Sequence, residues 1–141
     1  MTDQAPIQVS ASAVAEVVSH LEAQFGERLS KTAAIRERFG KDESFHASVP
    51  PDAVVTPKST EEVSQIVKLC AAHRVPVIPY GTGTALEGHV AALYGGISIN
   101  MRLMNDVIEV HDEDLDAVSY THLRAHETRH ERVCRLLLEK K

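Results

Sequence analysis

Five of the seven glycines in this chain fall between Gly81 and Gly96, and the densest stretch runs from Pro79 and Tyr80 through Gly81, Thr82, Gly83, Thr84, Ala85, Leu86 and Glu87 to Gly88. Such clustering is more than a turn requires. Glycine lets the backbone approach a ligand closely and turns several N–H groups toward one point, and the hydroxyls of Thr82 and Thr84 add donors within reach of phosphate oxygens. The chemistry suits a pyrophosphate. On local physics alone, an ordinary surface loop between strands is the competing reading.

The flanking sequence predicts a layered α+β arrangement around this loop. Val14, Val17, Val18, Leu21 and Phe25 place one apolar stripe along a helix that Gly26 closes. A second helical stretch is expected from about Ser30 to Phe39, with Ile35 and Phe39 on one face. Asp42, Glu43 and Ser44 then lie in a loop running to Pro50 and Pro51, two prolines that keep the segment extended. Ala53 to Thr56 reads as a short strand. Ser59 and Glu62 form a capping box ahead of a helix whose buried stripe is Val63, Ile66, Val67 and Cys70. Val75 to Pro79 reads as a short buried strand, which completes a βαβ unit. Ile97 and Ile99 alternate with polar residues and predict a half-buried strand. Val107, Ile108 and Val110 predict another, with a polar turn at His111 to Asp114 and an antiparallel return over Leu115 to Val118.

Two familiar phosphate loops fail against the glycine-rich stretch. The dinucleotide fingerprint requires a third glycine where Leu86 stands and a sustained amphipathic helix after it. The triphosphate-binding pattern begins well with Gly83 and Gly88, but His89 and Val90 occupy the positions of its lysine and hydroxyl residue. A third family fits. Pro51-Asp52-Ala53-Val54-Val55, the helix through Cys70-Ala71-Ala72-His73, Val75-Pro76-Val77-Ile78-Pro79 and the run Gly81 to Gly88 resemble the FAD-linked D-lactate and glycolate dehydrogenases. The resemblance runs from about Phe25 to Val118 and includes Gly40-Lys41-Asp42-Glu43-Ser44, similar to the family's segment ahead of its flavin domain.

The resemblance implies the first subdomain of an FAD-binding domain of the p-cresol methylhydroxylase type, incomplete here. It divides the chain into a helical lead-in over 1–45, a partial flavin domain over 46–118 and a non-family tail over 119–141. It implies FAD as cofactor, a small 2-hydroxyacid as substrate of the full-length enzyme, and a pyrophosphate held by the backbone of Gly81, Thr82, Gly83 and Thr84. Leu86, Glu87 and Gly88 would complete that turn, Pro79 and Tyr80 would line its approach, and Ser98, Asn100 and Met101 would form the next piece of cofactor wall. His89 is expected to be a satisfied structural histidine, in preference to a proton-transfer group. In the family the catalytic residues lie in the second half of the enzyme, so no catalytic residue and no metal ligand is expected in this chain.

Charge and composition bound the remaining function classes. The overall charge of −5 conceals a split: residues 119–141 carry six Lys or Arg against three Glu, whereas residues 1–118 hold nine basic and seventeen acidic groups. An acidic body is a poor partner for nucleic acid, which demands a basic face. The tail, beginning Ser119-Tyr120-Thr121-His122, resembles a translated adapter or vector junction. Its histidines His122, His126 and His130 fall at helical spacing, and the alternative function is a small non-catalytic module using this basic, His-rich tail for metal or nucleic acid. No apolar run reaches the roughly 20 residues of a membrane-spanning helix, and the first residues lack a signal-peptide pattern, so a cytoplasmic location is expected. Cys70 and Cys134 are too few for a disulfide framework and read as buried or incidental thiols.

Overall fold

The computed structural model describes residues 9–84, 86–114 and 116–119. Residues through Met104 make one compact unit, and a separate β-hairpin follows it. The first unit is a four-stranded sheet in the order β1-β2-β4-β3, where β1 is Leu29–Ser30, β2 Ala53–Val55, β3 Val77–Tyr80 and β4 Ile97–Asn100. Strands β2, β4 and β3 run parallel, while β1 pairs antiparallel with β2.

Helix α1, Ala11–Phe25, buries Val17, Leu21 and Phe25, the stripe predicted from spacing. Helix α3, Thr60–Ala72, starts at Ser59, whose hydroxyl accepts from the Glu62 N–H at 3.3 Å and supplies an otherwise missing first-turn acceptor. The reverse arm of the capping box lands one residue early, on the Lys58 N–H at 2.7 Å, because the Glu62 carboxylate also forks onto Arg28 at 2.6 and 2.9 Å. That pair joins the turn before β1 to the first turn of α3. It holds the Glu62 carboxyl below the usual carboxylate range, the Arg28 hydrogen bond contributing most.

The pleat divides the sheet into two faces. Ala53, Val55, Ile97 and Ile99 pack with Ile66, Cys70 and the α1 stripe in the larger core. On the opposite face Val54, Ile78 and Tyr80 pack with Phe39, Val90 and Ala92. A fully buried side chain such as Ile66 contributes about 1.5–3 kcal/mol by leaving water. Cys70 is wholly buried and burial pushes its thiol up to about 11, so it is an inert core residue. Cys134 lies outside the described residues.

Several expectations shift: Val67, placed in the buried stripe of α3, is exposed, and the strand expected over Val75 to Pro79 is Val77–Tyr80. Helix α2 spans Ala33–Phe39 and not Ser30 onward, because Leu29 and Ser30 are taken by β1, a strand too short for periodicity to reveal. Strand β4 is not half-buried: lying between β2 and β3, it is covered on both faces, and even Ser98 has no exposure. Ile35 is partly exposed while Phe39 is buried.

Where β4 enters the sheet, three segments converge on Gly96. Asp52 donates its N–H to the Gly96 carbonyl at 2.8 Å and its carboxylate accepts from the Gly96 N–H at 2.7 Å, while Ile97 N–H donates to the Pro76 carbonyl at 2.9 Å. A Cβ at Gly96 would lie 2.3 Å from the Pro76 carbonyl oxygen, and its φ of +106° excludes other residues on its own account. The hairpin comprises β5, Val107–His111, and β6, Asp116–Ser119, paired antiparallel as the alternation predicts, with an irregularity in register between Val107 and Glu109.

Two substitutions test this account. Gly96→Ala is expected to destabilise the chain by about 2–4 kcal/mol in urea unfolding, since backbone strain and a clash with backbone add. Ser98→Ala is expected to be neutral or slightly stabilising, because the buried Ser98 hydroxyl has no hydrogen-bond partner to lose.

Candidate cofactor-binding loop

The glycine-rich loop leaves the carboxyl end of β3, in a sheet whose three parallel strands all end on that edge. Open parallel sheets hold ligands in the crevice outside these ends, because the connections there are free to vary while the strands below are fixed. The edge is braced: Asn100 at the end of β4 donates from Nδ2 to the Thr56 hydroxyl at 3.2 Å and accepts the Arg102 N–H at 3.2 Å. Of the three expected wall residues, Asn100 is half-buried at the edge, Met101 packs partly buried against the larger core, and Ser98 lies inside the sheet.

Tyr80 positions the loop from below. It is 8% exposed, and its ring packs on Phe39 with centroids 4.4 Å apart. Gly83 takes φ +75°, and a Cβ there would lie 2.2 Å from the Tyr80 hydroxyl oxygen. The loop therefore folds down onto the end of its own strand, at a distance only glycine permits. Above that contact the Thr82 and Thr84 hydroxyls are 3.0 Å apart. Among the described residues, the N–H groups of Thr82 and Gly83 donate to no partner. Thr82, Thr84, Leu86 and Glu87 are exposed, Gly81, Gly83 and Gly88 half-buried, and Pro79 is exposed on the sheet edge. His89 is also exposed, beside the buried Val90.

Beside the loop lies an open depression of about 530 Å³, lined by Glu37 and Arg38 of α2, by Lys41, Asp42 and Glu43, and by Tyr80, Thr82 and Gly83. By sequence Asp42 belongs to a plain loop. Its carboxylate is 8% exposed and Oδ1 accepts the Ser44 N–H at 3.0 Å, an Asx turn that an Asp-x-Ser spacing announces without revealing the burial. No group of three or more His, Cys, Asp or Glu among the described residues is placed to hold a metal ion, and the tail histidines His122, His126 and His130 lie outside those residues.

Residues 51–119 match a protein family described as an FAD binding domain. The chain is 49% identical over 106 residues to a probable mitochondrial D-lactate dehydrogenase of Danio rerio, covering 74% of this chain and 21% of that protein. It is 43% identical over 105 residues to a mitochondrial cytochrome-linked D-lactate dehydrogenase of Arabidopsis thaliana, covering 73% and 18%. A shorter match, 42% identical over 67 residues, reaches glycolate oxidase subunit GlcD of Bacillus subtilis, covering 48% of this chain and 14% of that subunit. Against a crystal structure of p-cresol methylhydroxylase the TM-score is 0.60 at 20% identity, covering 75% of this chain and 22% of that one, a likeness of fold. The chain thus spans about a fifth of the length of its most extensively matched relatives.

The cytoplasmic expectation is overturned, since the Danio and Arabidopsis relatives are mitochondrial by name. The residue patterns behind it speak to secretion and membrane crossing and do not choose between aqueous compartments. Among the described residues no helix is long and apolar enough to cross a membrane.

The Tyr80–Gly83 contact gives a double-mutant test. Gly83→Ala is expected to destabilise the chain, and Tyr80→Leu, which removes the hydroxyl oxygen and the ring carbon that an added Cβ would meet at 2.2 and 2.7 Å, to recover on the order of 1 kcal/mol of that loss in a cycle measured by chemical denaturation. Strict additivity would contradict the close approach.

Proposed function

Since residues 51–119 belong to the FAD-binding domain family and resemble the D-lactate and glycolate dehydrogenases, we propose that this chain supplies the first cofactor-holding subdomain of a flavin-dependent D-2-hydroxyacid dehydrogenase. The observation that carries the reading is the pair of N–H groups at Thr82 and Gly83 that donate to no partner among the described residues, above a contact that no side chain larger than hydrogen fits. Backbone donors converging at the carboxyl edge of a parallel sheet form an anion cradle, and a pyrophosphate offers several acceptors at that spacing. These residues fit the group.

In this reading Gly81, Thr82, Gly83 and Thr84 hold the pyrophosphate, Leu86, Glu87 and Gly88 complete the turn, and Pro79 and Tyr80 border its approach. Residues 1–45 act as helical lead-in and 46–118 as the flavin-binding part. When bound, FAD supplies the two-electron acceptor for oxidation of a 2-hydroxyacid at its α-carbon to the 2-oxoacid. This chain's own part is to bind and orient: the Tyr80 hydroxyl sets the height of the loop and Asn100 braces the edge beside it. No residue here is assigned to proton or hydride transfer. The dehydrogenase activity belongs to the whole protein, and the chain alone is expected to give no dye-linked oxidation of D-lactate or glycolate. Turnover by the chain would contradict this division of labour.

The direct test is Gly83→Asp. A carboxylate at this position meets the Tyr80 hydroxyl and faces the phosphates. Charge-assisted hydrogen bonds contribute about 1.5–3 kcal/mol each, so losing one weakens FAD binding at least about tenfold. Flavin fluorescence titration, with circular dichroism confirming a retained fold, reads the result, and unchanged affinity would sink the loop assignment.

A further inference from the structure

We propose that Asp42 is the positioning residue of the cofactor loop: its buried carboxylate sets the Asp42–His46 turn, which backs the Gly88 end of the loop through the His46 ring, so that the Thr82 and Gly83 amides are presented before any cofactor arrives. The inference rests on the pyrophosphate reading of that loop and assigns a residue outside it.

The carboxylate is 8% exposed, and its Oδ2 is buried with no hydrogen-bond partner. A buried acceptor left unmatched costs about 1–3 kcal/mol, and more when charged, so a role beyond closing a local turn is required. The surroundings supply one. The Asx turn at Asp42 is continued by Ser44, whose hydroxyl accepts the His46 N–H at 3.3 Å. The His46 ring then lies directly against Gly88, its Cδ2 2.7 Å from where a Cβ would stand. The turn that the carboxylate closes thus meets the loop at Gly88 through the His46 ring.

The carboxyl is held below the usual carboxylate range, first by the Ser44 hydroxyl, against the opposing effect of burial, and then by the N–H groups of Ser44 and Gly88. It is charged at neutral pH. Beyond Gly88 the chain is stitched down: Ala91 N–H donates to the Gly88 carbonyl at 3.1 Å, Ala92 N–H to the Val49 carbonyl at 2.9 Å, and Val49 N–H to the Gly40 carbonyl at 3.0 Å. One end of the loop is fixed by β3 and Tyr80, the other by Asp42 and the segment behind it. Only the middle is left to bind.

A carboxylate is the wrong charge for a phosphate ligand, which separates positioning from contact. Asp42 lines the same depression as Thr82 and Gly83, together with Arg38 and Lys41.

The experiment compares Asp42→Asn and Ser44→Ala with the unsubstituted protein by FAD titration and by amide hydrogen exchange in the absence of FAD. Asp42→Asn is expected to weaken FAD binding about tenfold and to speed exchange at Gly81 to Gly88, while leaving β4 amides as protected as before. Ser44→Ala is expected to act in the same direction with a smaller loss, and carries the test should Asp42→Asn fail to fold. Because the folded carboxyl titrates below its ordinary value near 3.9, the loop's extra protection over Asp42→Asn is present above that pH and disappears as pH falls through the depressed value. FAD affinity unchanged in both variants, or exchange accelerated equally across β4, would overturn the assignment. Loss of affinity in Gly83→Asp alone would remove Asp42 from this role and leave the loop reading standing, whereas no loss in any variant would remove both.

Discussion

The parallel placement of β4 between β2 and β3 is the constraint from which the rest follows. Adjacent parallel strands cannot be joined by a hairpin, so a chain leaving β3 at its carboxyl end must travel back the length of the sheet before β4 begins. Helix α3 makes that journey between β2 and β3. Between β3 and β4 it is made by the irregular segment from Gly81 to Gly96, which spends Val90 and Ala92 on covering one sheet face. Glycines stand at both ends because each end passes backbone against another group: Gly83 over the Tyr80 hydroxyl, Gly96 against the Pro76 carbonyl. The same residues that let the strand order exist leave donors exposed above the sheet edge.

This double duty explains how much the sequence disclosed. Helices α1 and α3 were legible because their buried residues recur with helical period and a Ser59–Glu62 cap marks one start. The hairpin was legible from alternation. Strand β1 was not, since Leu29 and Ser30 are strand only by virtue of pairing with Val55 and Val54, a long-range fact. Strand β4 looked half-buried because Ser98 and Asn100 are polar; burial of Ser98 is decided by two flanking strands that its own residues do not encode. The loop's location was legible from glycine density, and its distinction from an ordinary turn came from resemblance. Asp42 was missed because an aspartate ahead of two prolines looks like solvated loop, and only tertiary packing buries it.

The site also shows how one loop is given shape without being filled. Tyr80 sets its floor, Asn100 and Thr56 tie the neighbouring strand ends, and the turn closed by Asp42 meets its far end at Gly88 through His46. None of these groups occupies the Thr82 and Gly83 amides. Holding donors unpaired and fixed in advance lowers the ordering cost at the moment of binding, which is the general advantage of a pre-organised site.

The most direct measurement is an amide chemical-shift titration of the isotopically labelled chain with FAD. The account predicts that the largest perturbations fall on the Thr82 and Gly83 amides and their immediate neighbours, with the α1–α3 core unmoved. Saturating shifts confined to other parts of the chain, with those two amides unchanged, would contradict it.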